Sequence, residues 1–158
     1  MASISDVAAY ICMKYPHKSE LSKTRLTKLV YLADWKAAQQ IGRQITDIEW
    51  YFHNFGPYVE DVYDSVRNDS RFEIVNTENY YGDRKLEIHI KDDIRPPHGL
   101  DKTEIDIIDS VVKETSNMYW NSFIQHVYST DPIENSNRYQ PLDLVLHAAR
   151  ARGGALLD

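Results

Sequence analysis

Apolar side chains recur at three- and four-residue spacing through Leu26, Leu29, Val30, Ala33, Ala37 and Ile41, the most regular stripe in the chain. That spacing puts them on one face of a helix predicted from about Thr24 to Ile41, with Gly42 placed to end it. Fully buried, each larger side chain on the stripe contributes about 1.5–3 kcal/mol in transfer terms, ample for a core helix. Trp35 lies to one side of the stripe and is expected to flank the core or meet another element. Upstream, Ile4, Val7, Ala8, Ile11 and Tyr15 share a face behind the capping-box spacing of Ser3 and Asp6, a first helix that Pro16 ends. The stretch between the two helices is basic, with Lys18, Lys23, Arg25 and Lys28 against Glu20.

Downstream the pattern changes period. Ile48, Trp50 and Phe52 alternate as in a strand, although Thr46 and Glu49 also have capping-box spacing. The aromatic and β-branched content predicts a short extended segment there. Gly56 suits a turn and Pro57 the first position of a third helix reaching about Asn68, with Val59, Val62, Tyr63 and Val66 inward. Phe72–Val75 and Leu86–Ile90 alternate around a polar loop with a Gly82-Asp83 turn, which reads as a hairpin. Residues from Asp92 to Gly99, with Pro96 and Pro97, read as a connector. Asp101 and Glu104 form a further capping box before a helix carrying Ile105, Ile108, Val111 and Val112. A fifth helix covers about Trp120 to Tyr128, with Phe123, Ile124 and Val127 inward, and Asp131-Pro132 ends it. Pro141 opens a last helix through Leu142, Val145 and Ala149, which Gly153-Gly154 stop, leaving a frayed tail. The sum is a mostly helical α+β fold, a single compact domain of about six helices with a short extended segment and a small β-hairpin.

Composition narrows the function classes. A chain of 158 residues can bury a sizeable core without a metal or disulfide. The formal charge of -6 argues against broad contact with nucleic acid, where Lys and Arg must displace counterions. It suits a basic protein partner. Cys12 is the single cysteine, so no internal disulfide forms and a reducing compartment is expected. No secretory signal or membrane-spanning run is read, which makes the cytoplasm the expected location.

Three short motifs stand in order: Leu26-Thr27-Lys28-Leu29-Val30-Tyr31, then Trp50 through Phe55-Gly56-Pro57-Tyr58-Val59, then Tyr128-Ser129-Thr130-Asp131-Pro132. In this the chain resembles the Panacea domain family, which includes SocA-like antitoxins and phage-associated GepA-like proteins. The family-motif residues are Leu26, Lys28, Leu29, Tyr31, Trp50, Gly56, Pro57 and Pro132, and the likeness runs from about Ile4 to Ile133. Residues 1–135 then form a Panacea-like antitoxin domain, and residues 136–158 a C-terminal helix and tail packed on or beside it. The chain departs from the pattern at Tyr58, where valine is commoner. It also departs at Tyr128, where histidine is expected, and at Ile133, where tryptophan is expected. The resemblance implies stoichiometric binding of a protein toxin without naming it. One family member also delivers its toxin to a protease, which makes a protease a second implied partner.

The residues themselves offer several surfaces. Lys28 and Tyr31 make either a polar patch, with Tyr31 bridging to the Gly-Pro turn, or a solvated lysine beside a half-buried tyrosine. Trp50, Phe52, Phe55 and Tyr58 serve either the core or a binding surface, and Tyr58 is the one expected to point outward, from the first turn of the third helix. Between Gln44 and Val66 the charged side chains are all carboxylates: Asp47, Glu49, Glu60, Asp61 and Asp64. Glu60, Asp61 and Asp64 give the third helix an acidic face, either plainly solvated or a docking surface for a basic toxin. The eleven tyrosines exceed what the core needs, and Tyr51, Tyr58, Tyr80, Tyr81, Tyr119, Tyr128 and Tyr139 cannot all be interior, so Tyr80 and Tyr81 in the hairpin loop, and Tyr128, join the expected partner-binding set.

Chemistry is poorly supported. The six histidines are scattered, without a metal-binding spacing, and neither His53 near Asp47 and Glu49 nor His126 near Asp131 or Tyr128 has a positioned nucleophile. No cofactor and no metal are expected. Binding of DNA is the rival reading, with Lys18, Lys23, Arg25 and Lys28, and Arg150 and Arg152, as its footprint. The acidic third helix opposes it. The sequence therefore points to a non-catalytic, toxin-neutralising antitoxin acting by direct protein binding. The alternatives are a phage or mobile-element adaptor without a local toxin, and a DNA-binding regulator.

Overall fold

Every residue from Arg25 to Trp35, the middle of the longest helix, is buried. The computed structural model describes residues 1–91 and 99–157, and the Pro96-Pro97 connector lies outside them. In chain order the helices are α1 (Ile4–Lys14), α2 (Lys23–Ile41), α3 (Asp61–Arg67), α4 (Lys102–Thr115), α5 (Trp120–Tyr128), α6 (Asp131–Glu134) and α7 (Leu144–Leu157). The strands are β1 (Phe52–His53), β2 (Gly56–Pro57), β3 (Phe72–Glu78) and β4 (Arg84–Ile90), which form two antiparallel hairpins. The whole is a mostly helical single domain.

Helix α2 is its axis, packed by α1, α3, α4, α7 and β4. The apolar stripe therefore marks only one of several buried faces. Trp35 is inside the core rather than flanking it. Arg25, Thr27, Lys28 and Asp34 are interior too, because partners close over the polar side of the helix that an amphipathic reading leaves wet. Ser22 caps its start, accepting from Arg25 N at 3.0 Å, and Gly42 ends it at φ +72°, a left-handed conformation that glycine adopts without strain.

Other elements follow local chemistry, with corrections. The Asp101/Glu104 capping box forms in both directions, at 2.8 and 2.9 Å. Ser3 caps α1, but Asp6 turns away to pair with Arg71 at 2.9 Å. Gly56-Pro57 does not start a helix. Gly56 at φ +102° folds the chain back so that Pro57 pairs with Phe52 across a two-residue Asn54-Phe55 turn, and α3 begins only at Asp61. The larger hairpin is longer than its alternation suggests, pairing Phe72 with Ile90 through Glu78 with Arg84. Ladder hydrogen bonds do not require apolar side chains.

Asp131-Pro132 opens the one-turn α6 instead of only ending α5. Proline near a helix start forfeits no hydrogen bond, and this turn brings the α-helices to seven among the described residues. Helix α7 starts at Leu144, after Pro141 has bridged to Tyr51, and it runs through Gly153-Gly154 instead of stopping there.

Two buried groups hold the surface in place. The Asp34 carboxylate accepts from Ile45 N (2.9 Å), Thr46 N (3.0 Å), Thr46 Oγ1 (2.6 Å) and Trp50 Nε1 (2.9 Å). It thus pins the whole segment after α2 back onto the helix. Burial lifts its pKa from 3.8 to about 6, against the pull of those hydrogen bonds. The Arg25 guanidinium donates to Tyr15 Oη (2.9 Å) and the Met118 carbonyl (3.2 Å) and lies over the Phe123 ring at 4.6 Å, tying the start of α5 to α2.

Candidate functional site

The three motifs meet behind one surface. Lys28 Nζ donates to the Pro57 carbonyl at 3.4 Å. Tyr31 lies edge-on to Trp50 at 5.4 Å, and its hydroxyl shares a 2.8 Å hydrogen bond with Thr130. Tyr128 is half-buried, edge-on to Phe52 at 6.2 Å, and backs Gly56 closely enough that a Cβ there would sit 3.5 Å from its ring. Leu26, Leu29, Tyr31, Trp50, Gly56, Pro57 and Pro132 are all buried, so these motif residues are a scaffold for the Gly-Pro turn. Trp50 is accordingly removed from the expected contact set: it is 1% exposed and spends its N–H on Asp34. Lys28, 1% exposed, is neither solvated nor part of an outer patch, and Lys28 rather than Tyr31 bridges to the turn. Burial drives its pKa down from 10.5 to about 8.

What this scaffold displays is aromatic. Phe55 stands at the tip of the β1–β2 turn, 78% exposed. Tyr58 precedes α3 rather than riding its first turn, is half-buried, and donates to Glu60 at 3.0 Å. Lys23 pairs with Glu60 at 3.6 Å and lies over Tyr63 at 4.4 Å. Thr24, Lys28, His53, Phe55, Tyr58 and Glu60 line a cavity of about 410 Å³ here, together with Lys23 and Asn54.

A second groove, of about 590 Å³, shares Lys23 and Thr24 with the first. Strand β4 docks against the start of α2 through Ile88 N to the Leu21 carbonyl (2.9 Å), which carries the hairpin tip over that end of the helix. The tip is ordered by Asn79, whose side chain accepts from Tyr81 N and Asp83 N, both at 2.9 Å. Tyr80 and Tyr81 are 96% and 85% exposed there, with Tyr119 and Trp120 of the α5 start also exposed and lining the same groove. The aromatic residues expected at a surface thus gather around the amino end of α2, apart from Trp50 and the supporting Tyr128. Trp120 lies outside the expected surface aromatics, and Tyr119 stands only among the surplus tyrosines, not in the expected partner-binding set. An aromatic pair at a helix start, Tyr119 at the cap and Trp120 as the first helical residue, is the signal that marks them.

The charges divide differently from the expectation. Glu60 and Asp61 are exposed, but Glu60 is engaged by Tyr58 and Lys23, and Asp64 pairs with Arg67 at 2.9 Å. The basic run is no surface stripe, since Arg25 and Lys28 are interior and Lys23 is ion-paired, which takes Arg25 and Lys28 out of the DNA footprint and leaves Lys18, Arg150 and Arg152 exposed. His147, not His126, meets Asp131, at 2.9 Å. Among the described residues no cluster of three or more His, Cys, Asp or Glu side chains is arranged to hold a metal. Cys12 is buried, which pushes its thiol up to about 12, far from a reactive thiolate. No described helix is long and apolar enough to cross a membrane.

The described residues thus form a helical domain with a buried motif scaffold and an exposed aromatic groove. A family model described as "Antitoxin SocA-like, Panacea domain" matches residues 26–132, and the chain belongs to that family. No curated protein and no solved structure matches the chain.

Proposed function

We propose that the chain is a non-catalytic antitoxin that binds a protein toxin and covers its active or substrate-binding surface. The observation that carries this reading is the exposure of Phe55, Tyr80, Tyr81, Tyr119 and Trp120 along two adjoining cavities at one end of α2. Large aromatic side chains bury much area for little lost rotamer freedom, so they favour a protein contact over solvent. Membership of a family described by its antitoxin supports the same reading. The net charge of -6, with Asp61 and Glu60 beside the aromatic surface, steers encounter with a partner of basic overall charge. Under this reading the protein acts in the cytoplasm, where Cys12 stays reduced.

Co-expression with the product of the neighbouring reading frame tests it. The expected result is growth arrest by that product alone, rescue by this chain, and a stable complex on gel filtration. Arrest that persists with this chain soluble and abundant, or a neighbouring product that is harmless alone, would overturn it.

A further inference from the structure

Lys28 lines the cavity under Phe55 and Tyr58 with only its ammonium's weakest needs met. Among the described residues its one hydrogen-bond acceptor is the Pro57 carbonyl at 3.4 Å, and the Tyr58 ring lies 5.9 Å away. The carboxylate in the same cavity, Glu60, is held by Lys23 and the Tyr58 hydroxyl. An ammonium has three N–H groups, so at least two find no protein acceptor among the described residues, in a side chain that is 1% exposed. Packing alone does not call for such a group. The stem passes Gly56, where a Cβ would stand 3.8 Å from Lys28 Cε, and a methionine would fill that path equally well.

We propose that this cavity is a subsite for an aspartate or glutamate side chain of the partner polypeptide, whose carboxylate seats on Lys28 while flanking residues lie against Phe55 and Tyr58. Seating restores the acceptor that the ammonium lacks, and the bound anion raises the lysine pKa that burial has lowered to about 8. The cavity adjoins the aromatic groove, with Lys23 and Thr24 walling both, so a chain lying across both passes Lys28 with an internal residue. That favours a side chain over a chain terminus. It also separates two roles of charge: acidic residues on the outside steer a basic partner in, and one buried cation reads a single acidic residue on it.

This inference deepens the protein-binding reading above and does not need the partner to be a toxin. The test uses the isolated protein and acetyl-Leu-Asp-Phe-amide, with acetyl-Leu-Asn-Phe-amide as its neutral twin, followed by NMR with lysine labelled at Cε. The acidic peptide is expected to bind at least tenfold more tightly, or about 1.4 kcal/mol, and to raise the pH at which Lys28 titrates. The neutral twin leaves that titration where it is, and Lys28→Met removes the tenfold preference. Equal binding, no binding up to about 10 mM, or an acidic preference that survives Lys28→Met overturns the subsite. So does tighter binding of acetyl-Leu-Asn-Phe with a free carboxyl end, or of an oligothymidylate. The titration is read on the unmutated chain, so it decides the matter even if the variant misfolds. If growth rescue fails while the acidic peptide binds, the toxin reading falls and the subsite stands. The reverse pair of results discards the subsite alone.

Discussion

Asp34→Ala is the perturbation from which the frame has most to lose. It leaves four buried donors without an acceptor: Ile45 N, Thr46 N, Thr46 Oγ1 and Trp50 Nε1. At about 1–2 kcal/mol for each orphaned donor, the gross loss is about 4–8 kcal/mol. Against it stands the relief of no longer holding a buried carboxylate ionised at pH 7. The rise of its pKa from 3.8 to about 6 makes that relief about 3 kcal/mol. The net expectation is a loss of about 3 kcal/mol, which in a chain of this size lowers the melting temperature by about 6–12 °C.

The sign of the pH dependence follows from the same shift. Because the folded pKa is raised, the Asp34 contribution to stability is full below 3.8 and is lost as pH rises through about 6. The variant lacks that slope, so the gap between the two proteins widens on going from pH 7 to pH 4.5. Calorimetry at both values measures it. A gap that narrows on acidification, or a loss at pH 7 below about 1 kcal/mol, would refute the assignment of Asp34 as the pin. Asp34→Asn keeps an acceptor for the two backbone N–H groups but turns an amide toward Trp50 Nε1, so an intermediate loss without the pH slope is expected.

Burial depresses the Lys28 pKa, so the Lys28 contribution to stability should rise as pH climbs from about 8 to 10.5, opposed above about 9 by Cys12, whose thiol burial raises. Lys28→Met should abolish that rise without lowering the melting temperature at pH 7, because it removes a buried charge that lacks a counter-ion. Gly56→Ala should cost about 1–3 kcal/mol on thermal denaturation, since φ there is +102°. Phe55→Ala should leave the melting temperature unchanged within about 0.5 kcal/mol yet weaken capture of the purified partner on a biosensor. Tyr58→Ala with Glu60→Lys should weaken that capture by about 2 kcal/mol or more, with the charge change read mainly in on-rate and salt dependence. Unchanged affinity in the double variant would move the contact elsewhere.

The elements with strong periodicity or capping chemistry were legible in the chain itself: α1, α2, the Asp101/Glu104 start of α4, α5, and the existence of the larger hairpin. What misled was the environment of α2. A stripe of Leu26, Leu29 and Val30 says which face is apolar, but not that α3, α7 and β4 will cover the others. Lys28 and Asp34 therefore look solvated until the partners are in place. The Gly-Pro pair failed for a related reason. Pro57 is equally at home at a helix start or at the end of a short strand, and only the pairing with Phe52 decides. Of the site, Phe55, Tyr58, Tyr80 and Tyr81 were readable as excess aromatics, whereas their grouping with Tyr119 and Trp120 depends on contacts between distant segments.

The finger that presents Phe55 is braced by residues beyond the matched part of the chain. Arg138 Nε donates to the Asn54 carbonyl at 3.1 Å, the Tyr139 hydroxyl donates to the Asn54 side chain, and Tyr139 N donates to the Phe52 carbonyl at 2.6 Å. Tyr139 itself sits at φ +67°, a conformation unusual for any residue but glycine. The matched segment ends at residue 132, so it supplies the fingertip but not the splint that aims it. Transplanting residues 26–132 alone into a related chain would carry the aromatic tip across while leaving its bearing to whatever the host supplies in place of Arg138 and Tyr139.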